Sequence, residues 1–185
     1  PATLLGIPLF HVLGLHAVFL GSFRGQRKLV TMYKWDASVA AELIERERII
    51  TFTGPPAVSG DLVRIAQSEG RDLSSLLTVG GGGAARPPEQ VGQIDRSFEK
   101  ALPNTGRGMT ETNAIGTLII GAEYSERPLS SGPALCVIDL RVVGEDGSVL
   151  DAGERGELQV RGPSMFREYW NKPEATADSF AEGGW

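Results

Sequence analysis

A chain of 185 residues suits one ordinary domain, or a domain with part of a second, and at 41% apolar and 22% charged residues it can bury a core without disulfides or metals. The net charge of −5 is unevenly spread, with 11 basic and 10 acidic side chains in residues 1–100 and 7 and 13 in residues 101–185, so there is no basic stripe to hold nucleic acid. The single Cys136 excludes an internal disulfide framework and fits a reducing cytoplasm, and His11 and His16 are too few for a multi-histidine zinc site.

Residues 1–23 contain no Asp, Glu, Lys or Arg, which is long enough to raise the question of a membrane span. Pro8 interrupts the stretch, both histidines fall inside it, Gly6, Gly14 and Gly21 dilute it, and it lacks a positive leader. A buried strand over 3–10 followed by a buried helix over 11–23 explains the same residues, so no integral span is expected. The chain opens at Pro1 inside an apolar run and stops at Trp185 just after a Gly-Gly turn. Neither end has the polar, flexible character of a natural boundary, and an excised internal segment is expected.

Further along, 28–33 reads as a second strand. Asp36 is placed to cap a helix whose apolar positions are Val39, Ala40, Leu43 and Ile44. The β-branched run 49–53 is a strand stopped by Gly54-Pro55-Pro56, and Val58, Leu62, Ile65 and Ala66 mark one face of the next helix. A strand over 76–79 runs into four consecutive glycines, after which Pro87 and Pro88 open a helix with Val91, Ile94 and Phe98 on its buried face. Alternation of this kind predicts an α/β fold, a mostly parallel sheet flanked by helices, over 1–130. Near residue 133 the period changes. Ile138, Leu140 and Val142 alternate with Asp139 and Arg141, turn signals follow at 145–148 and 151–156, and Leu158 and Val160 alternate again. Residues 131–185 are therefore expected to form an antiparallel β-meander or partial barrel beside the sheet.

In an open parallel sheet, ligands bind where strands end and loops begin. Two loops carry suitable residues. Val79-Gly80-Gly81-Gly82-Gly83-Ala84 lies between a strand and a helix, and its missing Cβ atoms let backbone approach a flat or anionic ligand. It matches neither the dinucleotide fingerprint, which disfavours an NAD-dependent oxidoreductase, nor the phosphate loop ending Gly-Lys-Ser/Thr. A permissive strand-to-helix turn with no ligand would use the same residues. In the second loop, 105–112, Thr110 can donate to a phosphate oxygen and Glu111 offers the hard oxygen that Mg²⁺ takes. Glu111 would also suit a helix start with no ligand, where negative charge is favoured.

Together these loops resemble the adenylate-forming superfamily of acyl-coenzyme A synthetases, luciferases and peptide-synthetase adenylation domains. Pro8-Leu9-Phe10-His11 with Gly14 is similar to the segment leading into that family's acyl pocket. Gly81-Gly82-Gly83-Ala84 is similar to its Gly-Gly-Ala-Pro loop, with Ala85 in place of the proline. Gly108-Met109-Thr110-Glu111 is similar to its aromatic-Gly-x-Thr-Glu signature, with Arg107 at the aromatic position. Gly153-Glu154-Arg155-Gly156-Glu157-Leu158, Gly162, Tyr169, Pro173, Glu174, Thr176 and Phe180 follow its long late block. The four blocks occur in the family's order and span nearly the whole chain.

The resemblance implies a magnesium-dependent ligase of the acyl-coenzyme A synthetase branch, with a place in fatty acid metabolism. A carboxylic acid and ATP would give an acyl-adenylate and pyrophosphate, and coenzyme A would then displace AMP. It implies Thr110 on phosphate, Glu111 on Mg²⁺, and Gly82, Gly83 and Ala84 beside adenine and the acyl carbonyl. Gly106, Arg107, Gly108 and Met109 would line the nucleotide site, and His11 and Gly82 would border the acyl group. An interior, hydrogen-bonded role would suit His11 as well, while Tyr169 and Pro173 are expected to be structural. The family's phosphate loop would precede Pro1, and its ribose-binding Thr-Gly-Asp and mobile lysine-bearing domain would follow Trp185, so the chain alone is expected to be inactive. A non-catalytic nucleotide-binding or degenerate relative of the same fold is the alternative.

Overall fold

The computed structural model describes residues 1–114 and 116–185. Five parallel strands come first: β1 (Ala2–Leu5), β2 (Lys28–Thr31), β3 (Ile49–Thr53), β4 (Thr78–Gly81) and β5 (Leu102–Thr105). The short β6 (Ile119–Ile120) pairs antiparallel with β5, and the spatial order is β2-β1-β3-β4-β5-β6. β1 is shorter than the strand expected over 3–10, because the chain bends at Ile7 and Pro8 cannot donate to a ladder. All four of its residues are buried, as a strand with neighbours on both sides requires.

The expected helix over 11–23 forms as wide π-type turns over Leu13–Leu20 that tighten into α1 (Gly21–Arg24). α2 (Ala37–Glu47) starts where Asp36 accepts a hydrogen bond from the Val39 amide at 3.0 Å. Its buried side is Ala40, Ala41 and Ile44, and Val39, expected on that face, is exposed. α3 (Pro56–Ser68) buries Leu62 and Val63, with Val58, Ile65 and Ala66 packed against the core, and α4 (Pro88–Ser97) buries Val91 and Ile94. α2, α3 and α4 pack side by side, while the π-helix packs on β1. Fully buried Phe52, Leu62, Leu76, Ile44 and Ile94 anchor one continuous core. Each such side chain contributes about 1.5–3 kcal/mol by leaving water. Among the described residues, no helix is long and apolar enough to cross a membrane.

β7 (Asp139–Val143) and β8 (Glu157–Arg161) pair antiparallel, from Asp139 opposite Arg161 to Val143 opposite Glu157. Between them the chain turns at 144–148, where the Gly144 amide donates to the Ser148 carbonyl at 2.9 Å, and Val149 bridges back to Val143. It turns again where the Glu154 amide donates to the Asp151 carbonyl at 3.2 Å. Both turns fall where the sequence put them. α5 (Ala122–Glu126) and α6 (Pro173–Asp178) complete the chain.

Candidate functional site

The two glycine-bearing loops leave the carboxyl ends of adjacent strands, β4 and β5, and they touch. The Thr105 hydroxyl donates to the Gly81 carbonyl at 2.9 Å, and a Cβ placed on Gly82 would lie 2.7 Å from the Gly106 oxygen. No side chain fits between them, so both strand ends turn outward as bare backbone. This is the crevice position at which open α/β sheets hold ligands.

Two clefts open against this ridge. One, of about 400 Å³, is lined by Gly82, Gly83, Asn104 and Thr110. It is also lined by His11, Val12, Leu13, Ala17, Leu118 and Leu135, most of them apolar. The other, of about 540 Å³, lies between Gly83, Ala84 and Ala85 and the loop 105–109, and Tyr124, Ser130 and Ser131 also line it. Gly83, Gly106, Arg107, Gly108 and Met109 face both clefts, so a single molecule could lie across the ridge with one part in each. Every residue singled out in the two loops except Glu111 lines one or both clefts.

The second loop is shaped by two threonines. Thr112, buried, accepts from the Met109 amide at 3.1 Å and donates back to the Met109 carbonyl, which closes the short 3₁₀ turn Thr110–Thr112. Thr117 accepts from the Arg107 amide at 3.0 Å and donates to the Ser131 carbonyl. With the loop clamped on both sides, Thr110 is exposed at the cleft and Glu111 is half-buried behind it. Thr112 takes the capping role that Glu111 could have filled. The Glu111 carboxylate instead accepts from the Tyr169 hydroxyl at 2.6 Å, and its carbonyl accepts from the Phe166 amide at 2.7 Å. That hydrogen bond raises the Tyr169 phenol above its ordinary pKa, because ionising the phenol would lose the donated proton, and partial burial adds to the rise.

His11 is exposed at the mouth of the first cleft rather than interior, and its Nδ1 accepts from the Leu13 amide at 3.1 Å. Arg107 is exposed and makes no ion pair among the described residues.

Arg86, passed over in the sequence, is the other cation at the second cleft. It is buried, its Nη1 donates to Ser59 Oγ and Gln90 Oε1 at 2.7 Å each, and its Nε and Nη2 have no hydrogen-bond partner among the described residues. Burial lowers its pKa, and Tyr124 beside it works the other way. Only its position shortly after the glycine run, beyond Ala84 and Ala85, bears on a site role, and nothing in the sequence marks it as buried.

A metal would have to rely on few protein groups. Among the described residues there is no cluster of three or more His, Cys, Asp or Glu side chains. A lone carboxylate beside a hydroxyl fits Mg²⁺, which is commonly held by one or two carboxylates together with ligand phosphates and water.

The profile of the AMP-binding enzyme family matches residues 1–170. The chain is 32% identical over 184 residues to 4-coumarate–CoA ligase 3 of Arabidopsis thaliana, covering 97% of this chain and 33% of the relative. It is 31% identical over 185 residues to a long-chain-fatty-acid–CoA ligase of Mycobacterium tuberculosis, covering 98% of this chain and 35% of the relative. Among solved structures, o-succinylbenzoate coenzyme A synthetase of Bacillus subtilis, in complex with ATP and a magnesium ion, superposes with a TM-score of 0.84 at 26% identity, covering 98% of this chain and 37% of that one. The chain thus spans about a third of the length of the curated relatives it matches.

Proposed function

The chain belongs to the AMP-binding enzyme family, and from that premise we propose that it is an internal part of an ATP-dependent ligase that activates a carboxylic acid as its adenylate and passes the acyl group to coenzyme A. The reading is carried by one observation: loops 79–84 and 105–112 meet at the ends of β4 and β5, with two adjoining clefts against them, one bordered by Val12, Leu13 and Ala17 and the other by Arg86. Residues 1–130 would supply both loops, and 131–185 would brace the second from behind.

In this reaction a carboxylate oxygen of the acid attacks the α-phosphorus of ATP, the bond to the β-phosphate oxygen breaks, and pyrophosphate leaves. The coenzyme A thiol then attacks the acyl carbon of the adenylate, loses its proton and expels AMP. Such chemistry depends on placement and charge neutralisation more than on a strong acid or base. Gly82, Gly83 and Ala84 present bare backbone to the adenine and acyl carbonyl. Thr110 donates its hydroxyl to a phosphate oxygen, and Glu111 offers a carboxylate oxygen for Mg²⁺. Mg²⁺ bound there would neutralise charge building on the phosphates. Arg107 and the neighbouring Arg86 give the second cleft a positive field suited to an anionic ligand. His11, Val12, Leu13 and Ala17 would border an acid with an apolar body. A cytoplasmic setting fits a chain whose one cysteine is exposed and free.

The test is carboxylate-dependent exchange of pyrophosphate into ATP. The full-length enzyme should catalyse exchange with an apolar acid, and the chain of 185 residues alone should not. Adenylate formation by the chain alone would refute its proposed inactivity. Arg107, standing where the family places an aromatic residue, favours a second reading, a nucleotide-binding relative without catalysis. ATP binding by the full-length protein with no exchange for any acid would select it.

A further inference from the structure

We propose that Tyr169 is a positioning residue for the Glu111 carboxylate, orienting it to receive Mg²⁺ beside the nucleotide phosphates; this rests on the metal role proposed above for Glu111. The two residues lie 58 positions apart in the chain, and the phenol donates to Glu111 Oε1 at 2.6 Å. That length is typical of a hydroxyl bonded to a charged carboxylate.

The phenol is itself held. The Tyr169 amide donates to Thr176 Oγ1 at 2.9 Å, its ring lies 4.7 Å from that of Phe166, and Phe166 stacks on Phe180 at 5.2 Å. The same segment grips the Glu111 loop through backbone as well: the Phe166 amide donates to the Glu111 carbonyl, and the Asn113 side chain donates to the Ser164 carbonyl at 2.8 Å. Of these contacts, only the Tyr169 hydroxyl reaches the carboxylate.

The identity of the partner matters. Among the described residues no Lys, Arg or His stands within ion-pair distance of Glu111. An arginine there would compensate the charge and occupy both oxygens. A neutral phenol fixes the direction of one oxygen, leaves the charge in place and frees Oε2 for a hard cation. Partners that orient a metal-binding carboxylate in this way typically change affinity or activity by about 10- to 100-fold when removed. If the bond served only to dock residues 164–180, its loss would lower stability and leave metal dependence unchanged.

Tyr169→Phe keeps the ring packing and removes only the hydroxyl. In the full-length enzyme, we expect the Mg²⁺ concentration for half-maximal ATP–pyrophosphate exchange to rise about 10- to 100-fold, with the rate at saturating Mg²⁺ changed only a few-fold. Binding of Mn²⁺ in the presence of a non-hydrolysable ATP analogue, read by loss of the free-ion electron paramagnetic resonance signal, should weaken in parallel. Asn113→Gly removes a bond between the loop and the same segment without touching the carboxylate, the phenol or its ring packing, suits the φ of 54° at that position, and should leave both readouts as in the parent. Unchanged metal dependence in Tyr169→Phe, or equal weakening in Asn113→Gly, would overturn the proposal. Glu111→Gln separates the two layers: if it too leaves Mn²⁺ affinity intact, the metal role of Glu111 fails, whereas if it abolishes affinity and Tyr169→Phe does not, only the positioning role fails.

Discussion

Gly82 and Gly106 approach so closely that a Cβ on the first would stand 2.7 Å from the carbonyl oxygen of the second. Because that oxygen is backbone, it cannot rotate away as a flexible side chain would. Gly82→Val should therefore push the loops apart, deform both clefts, and weaken ATP binding by the full-length protein at least about 10-fold, near 1.4 kcal/mol. Gly83 differs: its φ of +91° strains any other residue, but a Cβ there meets nothing within 4 Å. Gly83→Ala should cost about 1–2 kcal/mol of stability while leaving the clefts open. Titration calorimetry with thermal melts separates the two outcomes.

Glu111→Ala removes the carboxylate offered to Mg²⁺. Carboxylate-dependent ATP–pyrophosphate exchange should fall by at least about 100-fold, beyond the roughly 10–100-fold that a metal ligand's supporting partners contribute. Fold should survive, because the side chain is half-buried and the two loop-shaping bonds come from Thr112 and Thr117. Near-normal exchange would remove Glu111 from the metal site.

Much of the frame was legible because local rules and tertiary demands coincide: Asp36 caps α2, the proline pair starts α4, and the turn signals at 145–148 and 151–156 close the β7–β8 meander. Periodicity failed at Val39, where an apolar residue lies on the solvent side of its helix, and at β1, where an apolar run continues past the strand into a loop. Both loops of the site were legible from composition. Their convergence at one sheet edge was expected too; the direct backbone contact of Gly82 with Gly106 was not, since it depends on β4 and β5 being neighbours. Tyr169 read as structural for the same reason: no local pattern reports a hydrogen bond across 58 residues. Arg86 was invisible because a charged residue before two prolines suggests a solvated turn, whereas Ser59 and Gln90, on two other elements, enclose it.

Asp72 sets part of the acid limit of the fold. The Ser74 hydroxyl and amide, then Arg48 at 2.7 Å, hold its carboxyl down from 3.8 to about 2. A carboxylate with a depressed folded-state pKa adds stability above its unfolded value and loses it as pH falls toward the folded one. The thermal midpoint should therefore drop between pH about 4 and 2, and Asp72→Asn should flatten that drop. Salt should shrink the difference, since the group is solvent-exposed.

Arg86 is a stability liability. Among the described residues, two of its guanidinium nitrogens are buried without a partner of good hydrogen-bond geometry, Tyr124 standing nearby, and each orphaned donor of this kind costs about 1–3 kcal/mol. Arg86→Met keeps much of the volume and removes those donors. Ser59 retains its bonds to the Pro55 and Pro56 carbonyls. Replacing a buried charge with an apolar side chain of similar size is often neutral or stabilising. The thermal midpoint of Arg86→Met should hold or rise, by about 2–4 °C per kcal/mol gained. A fall of more than a few degrees would mean that the bonds to Ser59 and Gln90 outweigh the two orphans.

Arg107 decides between the two functional readings. Its exposed side chain borders both clefts, where a guanidinium plane could stack on a base or approach phosphate. If stacking is its role, Arg107→Ala should weaken ATP binding by about 1–3 kcal/mol, the usual worth of a base-stacking contact. Arg107→Tyr would then restore affinity, and exchange activity would follow affinity through both variants. If the cation serves phosphate, Arg107→Tyr should bind ATP as poorly as Arg107→Ala, and rising salt should weaken the parent more than either variant. A parent that binds ATP through Arg107 yet exchanges no pyrophosphate, with exchange appearing only in Arg107→Tyr, would identify this position as the change that turned an enzyme into a binding module.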